Sequence, residues 1–295
     1  MRTNFTGVGT ALVTPFTKSG DLDEQAVRRL GRRQIDAGIH FLVPCGTTGE
    51  VATLSAAEHR RAIEIAVEVS RRRVPVIAGC GSYSTAATIE RIAAAKEAGA
   101  DAALVVVPYY NKPSQAGIAA HFRAAAESSD LPIVVYNVPS RTVADISVET
   151  LAEIAKLPTI VGVKDATGNL GRVSAQRLAC GADFCQLSGN DDMALGFNAM
   201  GGVGCISVTA NVAPRLCAEF QAATREGRWD KALELQDRLY PLHSALFSDA
   251  SPGPAKYALT RVRPGFPPEL RLPLTEPSDS SKRAVDKALE HAGLA

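Results

Sequence analysis

The chain has 295 residues, 46% of them hydrophobic but only 5% aromatic, so its core must be built on Val, Ile, Leu and Ala. Thirty-two basic side chains balance 31 acidic ones for a formal charge of +1, which argues against a nucleic-acid stripe or a membrane-surface patch. Six cysteines without a Cys-x-x-Cys pair and five histidines without metal-ligand spacing predict a reduced protein with no metal and no cofactor.

No apolar run near the amino terminus resembles a signal peptide, and no stretch approaches the ~20 apolar residues of a membrane span. The expected compartment is the cytoplasm. Strand and helix patterns alternate from the start. Gly7 to Phe16 reads as a strand, and Asp23 to Ala37 as an amphipathic helix with Asp21 and Asp23 as capping candidates. Ile39 to Pro44 is a second strand. Ser55, with Glu58 three residues on, forms a capping box that opens a helix to about Ser70.

Val74 to Ala78 is a third strand, followed by a helix over Ser84 to Ala98. Ala102 to Val107 and Leu131 to Tyr136 are strands four and five, with helices over Ser114 to Ser128 and Ser147 to Lys156. Thr159 to Lys164 is the sixth strand, and Asn169 to Cys180 its helix. Phe184 to Leu187 with a helix over Asp191 to Met200, then Gly202 to Val208 with Val212 to Glu226, complete the alternation. Eight strand–helix pairs at intervals of about 25 residues predict an α/β fold, a (β/α)8 TIM barrel over residues 1–226. An open doubly wound sheet would want a phosphate-binding loop, and Gly79-Cys80-Gly81-Ser82 is too weak for one. Residues 227–295 show no strand pattern. Helices over Trp229 to Phe247, Pro254 to Arg263 and Asp279 to Ala292 predict a C-terminal helical appendix packed on the barrel.

The sixth strand is the centre of the pattern. Ile160, Val161, Gly162 and Val163 run straight into Lys164, the one lysine of nine that ends a continuous apolar strand. Apolar surroundings disfavour a charged amine, and a neutral amine attacks carbonyl carbon to give a Schiff base. The competing reading is a lysine that snorkels into water.

Barrels of this class carry function at the carboxyl ends of their strands. There the chain places Gly46-Thr47-Thr48-Gly49-Glu50, Pro108-Tyr109-Tyr110-Asn111-Lys112-Pro113, Tyr136-Asn137-Val138-Pro139-Ser140-Arg141, Lys164 and Ser188-Gly189-Asn190-Asp191. Singly, the first could be a tight turn, the tyrosines packing aromatics, and Arg141 a weak surface ion pair. Yet three of the chain's six tyrosines share a face with Lys164, which favours a site.

These motifs, with Gly162-Val163-Lys164-Asp165-Ala166-Thr167, resemble the dihydrodipicolinate synthase family of pyruvate-dependent class I aldolases, to which N-acetylneuraminate lyase also belongs. The likeness runs from about Thr6 to Lys256. It implies a carbon–carbon lyase that condenses pyruvate with L-aspartate-4-semialdehyde through a lysine Schiff base, in the diaminopimelate route to lysine. By the resemblance Lys164 is the Schiff-base lysine, and Tyr136, Thr47 and Tyr110 form the proton relay. Thr48, Arg141, Gly189 and Ile206 bind substrate, with Thr47 and Thr48 on the pyruvate carboxylate and Arg141 on that of the semialdehyde. Tyr110 enters the site from a neighbouring subunit of a homotetramer, a dimer of dimers.

Departures bear on regulation. Where lysine-inhibited members carry polar residues, this chain has Val51, Ala56, Tyr83 and Ala87, with Glu50, His59 and Tyr109 retained. Weak or absent inhibition by lysine is the expectation. Asn190 and Ser251-Pro252-Gly253-Pro254 also depart from the family pattern and leave the aldehyde slightly open. Two other functions remain in view: a Schiff-base aldolase or dehydratase acting on a 2-keto-3-deoxy sugar acid, against which Arg141 speaks, and a non-catalytic binder of the same fold.

Overall fold

A computed structural model describes residues 5–294. In chain order the first elements are β1 (Gly7–Ala11), α1 (Glu24–Asp36), β2 (Phe41–Val43) and α2 (Ala56–Ser70). Next come β3 (Ile77–Gly79), α3 (Thr85–Glu97), β4 (Ala102–Val106), α4 (Gln115–Glu127), β5 (Ile133–Asn137), α5 (Pro139–Thr142) and α6 (Val148–Ile154). They are followed by β6 (Ile160–Asp165), α7 (Gly171–Cys180), β7 (Cys185–Ser188), α8 (Ala194–Ala199) and β8 (Gly204–Ser207). The chain closes with α9 (Pro214–Arg225), α10 (Trp229–Ala245), α11 (Gly253–Val262) and α12 (Asp279–Ala292). Eight parallel strands alternating with helices make this a (β/α)8 barrel fold with C-terminal helices.

The chain packs as two compact units. One contains Ile77–Ile206; the other joins Gly7–Val76 to the segment from Ser207 onward. In the first unit β3, β4, β5, β6, β7 and β8 pair side by side in sequence order, with Tyr136 opposite Lys164 and Lys164 opposite Leu187 in register. Its interior is aliphatic, as the composition requires: Ile133, Val135, Val163 and Leu187 are fully buried. In the second unit β1 pairs with β2, and α9, α10 and α12 pack in series.

Capping signals were legible and hold. Asp23 accepts from the Ala26 N–H, whereas Asp21 accepts from the Ser19 hydroxyl in the preceding turn. Ser55 and Glu58 form both halves of the capping box. The strands are shorter than the apolar runs suggest. The expected Gly7–Phe16 strand stops at Ala11 because the next groups bond elsewhere: the Val13 N–H to Asn211 Oδ1, and the Thr14 hydroxyl to the Gly49 carbonyl. The third strand begins at Ile77 rather than Val74, with Val76 making only an isolated bridge to Leu42. The short α5, which carries Arg141, was not foreseen; Pro139 at its first position starts it, and four residues are too few to show a period.

Candidate active site

Strand geometry decides where the β6 side chains go, because successive residues face opposite sides. Asp165 points to the helices. Its carboxylate accepts from the Thr167 N–H and hydroxyl, from Arg172 Nε at 3.0 Å and from Gln176 Nε2 at 2.6 Å. Lys164, one residue earlier, therefore faces the other side of the sheet, and it is buried. Its Nζ lies 4.1 Å from the centroid of the Tyr136 ring, its register neighbour on β5. Asn137 repeats the alternation: its amide donates to Asp145 and accepts from the Ile146 N–H on the helix side.

Two glycines mark close approaches beside the lysine. A Cβ at Gly162 would come within 2.5 Å of the Cys185 carbonyl oxygen. At Gly189 it would come within 2.6 Å of Ala166 Cβ and 3.2 Å of Lys164 Cε. Gly189 thus stands at the amine's stem, and the close approach excludes any larger residue. Ile206, fully buried on β8, was also named from the sequence as a substrate contact.

The remaining predicted residues lie in loops. Tyr110 is 85% exposed and has a left-handed φ of 65°, as does Lys112 at 48°. Non-glycine residues held there cost of order 1–3 kcal/mol each, and such strain collects at functional loops. Asn111 braces this loop by donating to the Tyr83 carbonyl, and the Tyr83 and Tyr109 rings meet edge to face at 5.4 Å. Arg141 is exposed on α5 with no ion-pair partner among the described residues, so the surface-pair reading fails. In the second unit Thr47 and Thr48 open a short 3-10 turn, Thr47–Gly49, with Thr47 exposed and Thr48 buried. The Gly49 carbonyl accepts from the Thr14 hydroxyl at 2.7 Å, which ties the turn to the end of β1.

A strand-borne buried lysine over a tyrosine, with open arginine and tyrosine loops, agrees with what comparison finds. The family model of the Dihydrodipicolinate synthetase family matches residues 4–292. The chain belongs to that family. It is 63% identical over 291 residues to the 4-hydroxy-tetrahydrodipicolinate synthase of Rhizorhabdus wittichii, covering 99% of this chain and 100% of that one. The enzyme of the same name from Zymomonas mobilis is 62% identical over 290 residues, covering 98% and 99%. The crystal structure of dihydrodipicolinate synthase from Aquifex aeolicus superposes with a TM-score of 0.95 at 41% identity, over 98% of this chain and 99% of that one.

In this member of the dihydrodipicolinate synthetase family, a second buried lysine escaped sequence reading. Lys256 on α11 is fully buried, and its Nζ pairs with Glu50 Oε1 at 2.6 Å. The ammonium also donates to the Glu269 carbonyl at 2.6 Å and stands 4.4 Å from the Phe16 ring centroid. Burial pulls the lysine's pKa below its ordinary value, and Glu50 opposes that shift. Glu50 follows the Thr47–Gly49 turn directly, with a left-handed φ of 53°. Its other oxygen accepts from the Arg271 N–H at 3.2 Å. The Arg271 guanidinium in turn donates to the carbonyls of Gly20 and Thr53 and forms a close pair with Glu58. Arg271 is the main cause that holds the Glu58 carboxyl down to about 2.

This arrangement corrects one expectation. Glu50 was grouped with His59 and Tyr109 as a surviving contact for an effector amino acid, but its carboxylate is buried and committed to Lys256 and Arg271. The sequence showed both partners; nothing in their local patterns joined residues so far apart.

Proposed function

We infer that this chain catalyses the 4-hydroxy-tetrahydrodipicolinate synthase reaction through a Schiff base on Lys164. Pyruvate condenses with L-aspartate-4-semialdehyde, a lyase-class reaction of the class I aldolase type in the diaminopimelate route to lysine. The observation that carries the residue assignment is the buried Lys164 amine over the Tyr136 ring at the end of an otherwise apolar strand. Attack of the neutral amine on the pyruvate ketone and loss of water give the imine; removal of a methyl proton gives the enamine that attacks the aldehyde. These steps move several protons, for which the Tyr136, Thr47 and Tyr110 hydroxyls serve as the relay. Thr48 joins Thr47 in holding the pyruvate carboxylate, and Gly189 and Ile206 bound the substrate space. The exposure of Tyr110 supports its reaching a neighbouring subunit, within a homotetramer arranged as a dimer of dimers. In this reading the barrel spans residues 1–226 and the helical appendix 227–295, and the enzyme works in the cytoplasm. Among the described residues no helix is long and apolar enough to cross a membrane.

The reaction is tested by supplying pyruvate with L-aspartate-4-semialdehyde and, separately, 2-keto-3-deoxy sugar acids for cleavage. Turnover of the sugar acids in preference to the semialdehyde would sink the assignment.

Arg141 selects the aldehyde partner. Its unpaired guanidinium suits a planar, bidentate hold on the semialdehyde carboxylate. Arg141→Ala should raise the KM for the semialdehyde far more than that for pyruvate, by the equivalent of roughly 1.5–3 kcal/mol. Steady-state kinetics with each substrate varied will decide it; equal losses for both would make Arg141 structural.

Free lysine is expected to inhibit weakly or not at all. Val51, Ala56 and Ala87 offer no side-chain acceptor, Tyr83 packs against Tyr109, and Glu50 is occupied. Each acceptor missing for a buried cation costs roughly 1.5–3 kcal/mol, so two raise an inhibition constant by about two orders of magnitude. A lysine titration with pyruvate near its KM checks this. Strong inhibition below a millimolar would mean that other groups build the effector site.

A further inference from the structure

In the second unit, a groove of about 680 Å³ between α1 and the start of α9 is lined by six arginines: Arg29, Arg32, Arg33, Arg215, Arg238 and Arg263. Among the described residues the one acid there, Asp36, is already paired with Arg73 at 3.3 Å. Several other arginines of this unit are matched to carboxylates, Arg28 and Arg61 to Glu24 and Glu68, and Arg271 to Glu58. The side chains of Arg29, Arg32, Arg215 and Arg263 have no such partner among the described residues. In a chain whose charges otherwise balance, so many unmatched cations around one concavity repel each other and await a counter-charge.

Two further features place positive charge in the groove wall. Arg33 is fixed in the wall: its two terminal nitrogens donate at 2.7 Å to the carbonyls of Asn211 and Val212. Burial, and then the Arg263 charge, pull its pKa down to about 10. Helix α9 starts at the groove with Pro214 in its first turn and no side-chain cap, so its first N–H groups lack a side-chain acceptor beside the lining residues Ala213 to Leu216. The rest of the lining, including Val212 and Leu216, is apolar.

We propose that this groove binds a small polyphosphate anion. Guanidinium forks and an uncapped helix start both suit phosphate oxygens. The volume lies within the roughly 300–1,000 Å³ usual for small-molecule sites, more than a single phosphate fills. The source is an inorganic polyphosphate or a nucleotide, for whose organic part the apolar lining has room.

Isothermal titration of the full chain at low ionic strength, with saturating pyruvate to occupy the active site, compares inorganic tripolyphosphate, ADP and inorganic phosphate. Tripolyphosphate or ADP should bind at one site per chain, at least about 10-fold tighter than phosphate. The stronger of the two identifies the source. The doubly substituted Arg32→Ala/Arg215→Ala chain should lose at least about 10-fold in affinity, with an unchanged far-UV spectrum and unfolding temperature. Should that chain misfold, Arg29→Ala and Arg263→Ala, both at exposed positions, serve separately and should each weaken binding. Absence of saturable binding, or affinity unaltered in the substituted chains, overturns the proposal.

Discussion

Lys164→Arg is expected to abolish turnover, by at least about 1,000-fold, the scale on which loss of a covalent nucleophile is felt. Arginine keeps the charge and much of the length, so the fold should survive, but a guanidinium that never deprotonates cannot form the imine. The direct measurement is a borohydride trap with pyruvate, followed by peptide mapping. The reduced adduct should appear on the peptide bearing Lys164 and be lost in the variant. Lys256 supplies the informative control, because it too is a buried amine. What separates them is occupation: the Lys256 ammonium is held by a carboxylate and a carbonyl, whereas the Lys164 amine stands over the face of Tyr136 and has no ion pair among the described residues. Label on Lys256 would overturn the mechanism.

Lys256→Ala should instead be a stability lesion. It leaves the Glu50 carboxylate buried without its cation, and breaking a buried pair in this way costs roughly 3–5 kcal/mol. Replacing both partners with apolar residues, Glu50→Leu with Lys256→Met, should recover much of that loss, since the pair's desolvation cost disappears with it. Denaturant unfolding of the two single variants and the double one closes the cycle. A single-variant cost below about 1 kcal/mol, as for exposed pairs, would show that water reaches the pair and that it anchors nothing. The doubly substituted protein should also report on the Thr47–Gly49 turn: if Glu50 holds that turn, stability returns while the KM for pyruvate stays raised.

Much of this was legible in the sequence because the governing signals are local. Alternation of apolar strands and capped helices shows the fold class, and the Ser55–Glu58 box or the Asp23 cap can be read within four residues. Lys164 was equally visible, since an amine closing an apolar run is anomalous in place. Strand ends were less so: the Val13 N–H turns to Asn211 and the Thr14 hydroxyl to the Gly49 carbonyl, partners that no window along the chain contains. Lys256 shows the same limit more sharply. On α11 it sits among Ala255, Ala258 and Leu259 and reads as a solvated lysine on a helix, until Glu50 is brought to it. The arginines of the groove, spread over α1, α9, α10 and the end of α11, form a cluster only in three dimensions.

The anchoring of Glu50 also sets an order in time. Arg271, whose N–H completes that carboxylate's set of partners, lies 221 positions further along the chain. At about 5–20 residues per second, a ribosome needs on the order of 10–40 s to add that stretch. Before that stretch is complete, the contiguous unit Ile77–Ile206, with Lys164 and Tyr136 in it, has all of its own strands, while Glu50 still waits for Arg271. The nascent chain thus completes the unit that carries Lys164 before it can complete the anchoring of the Thr47–Gly49 turn.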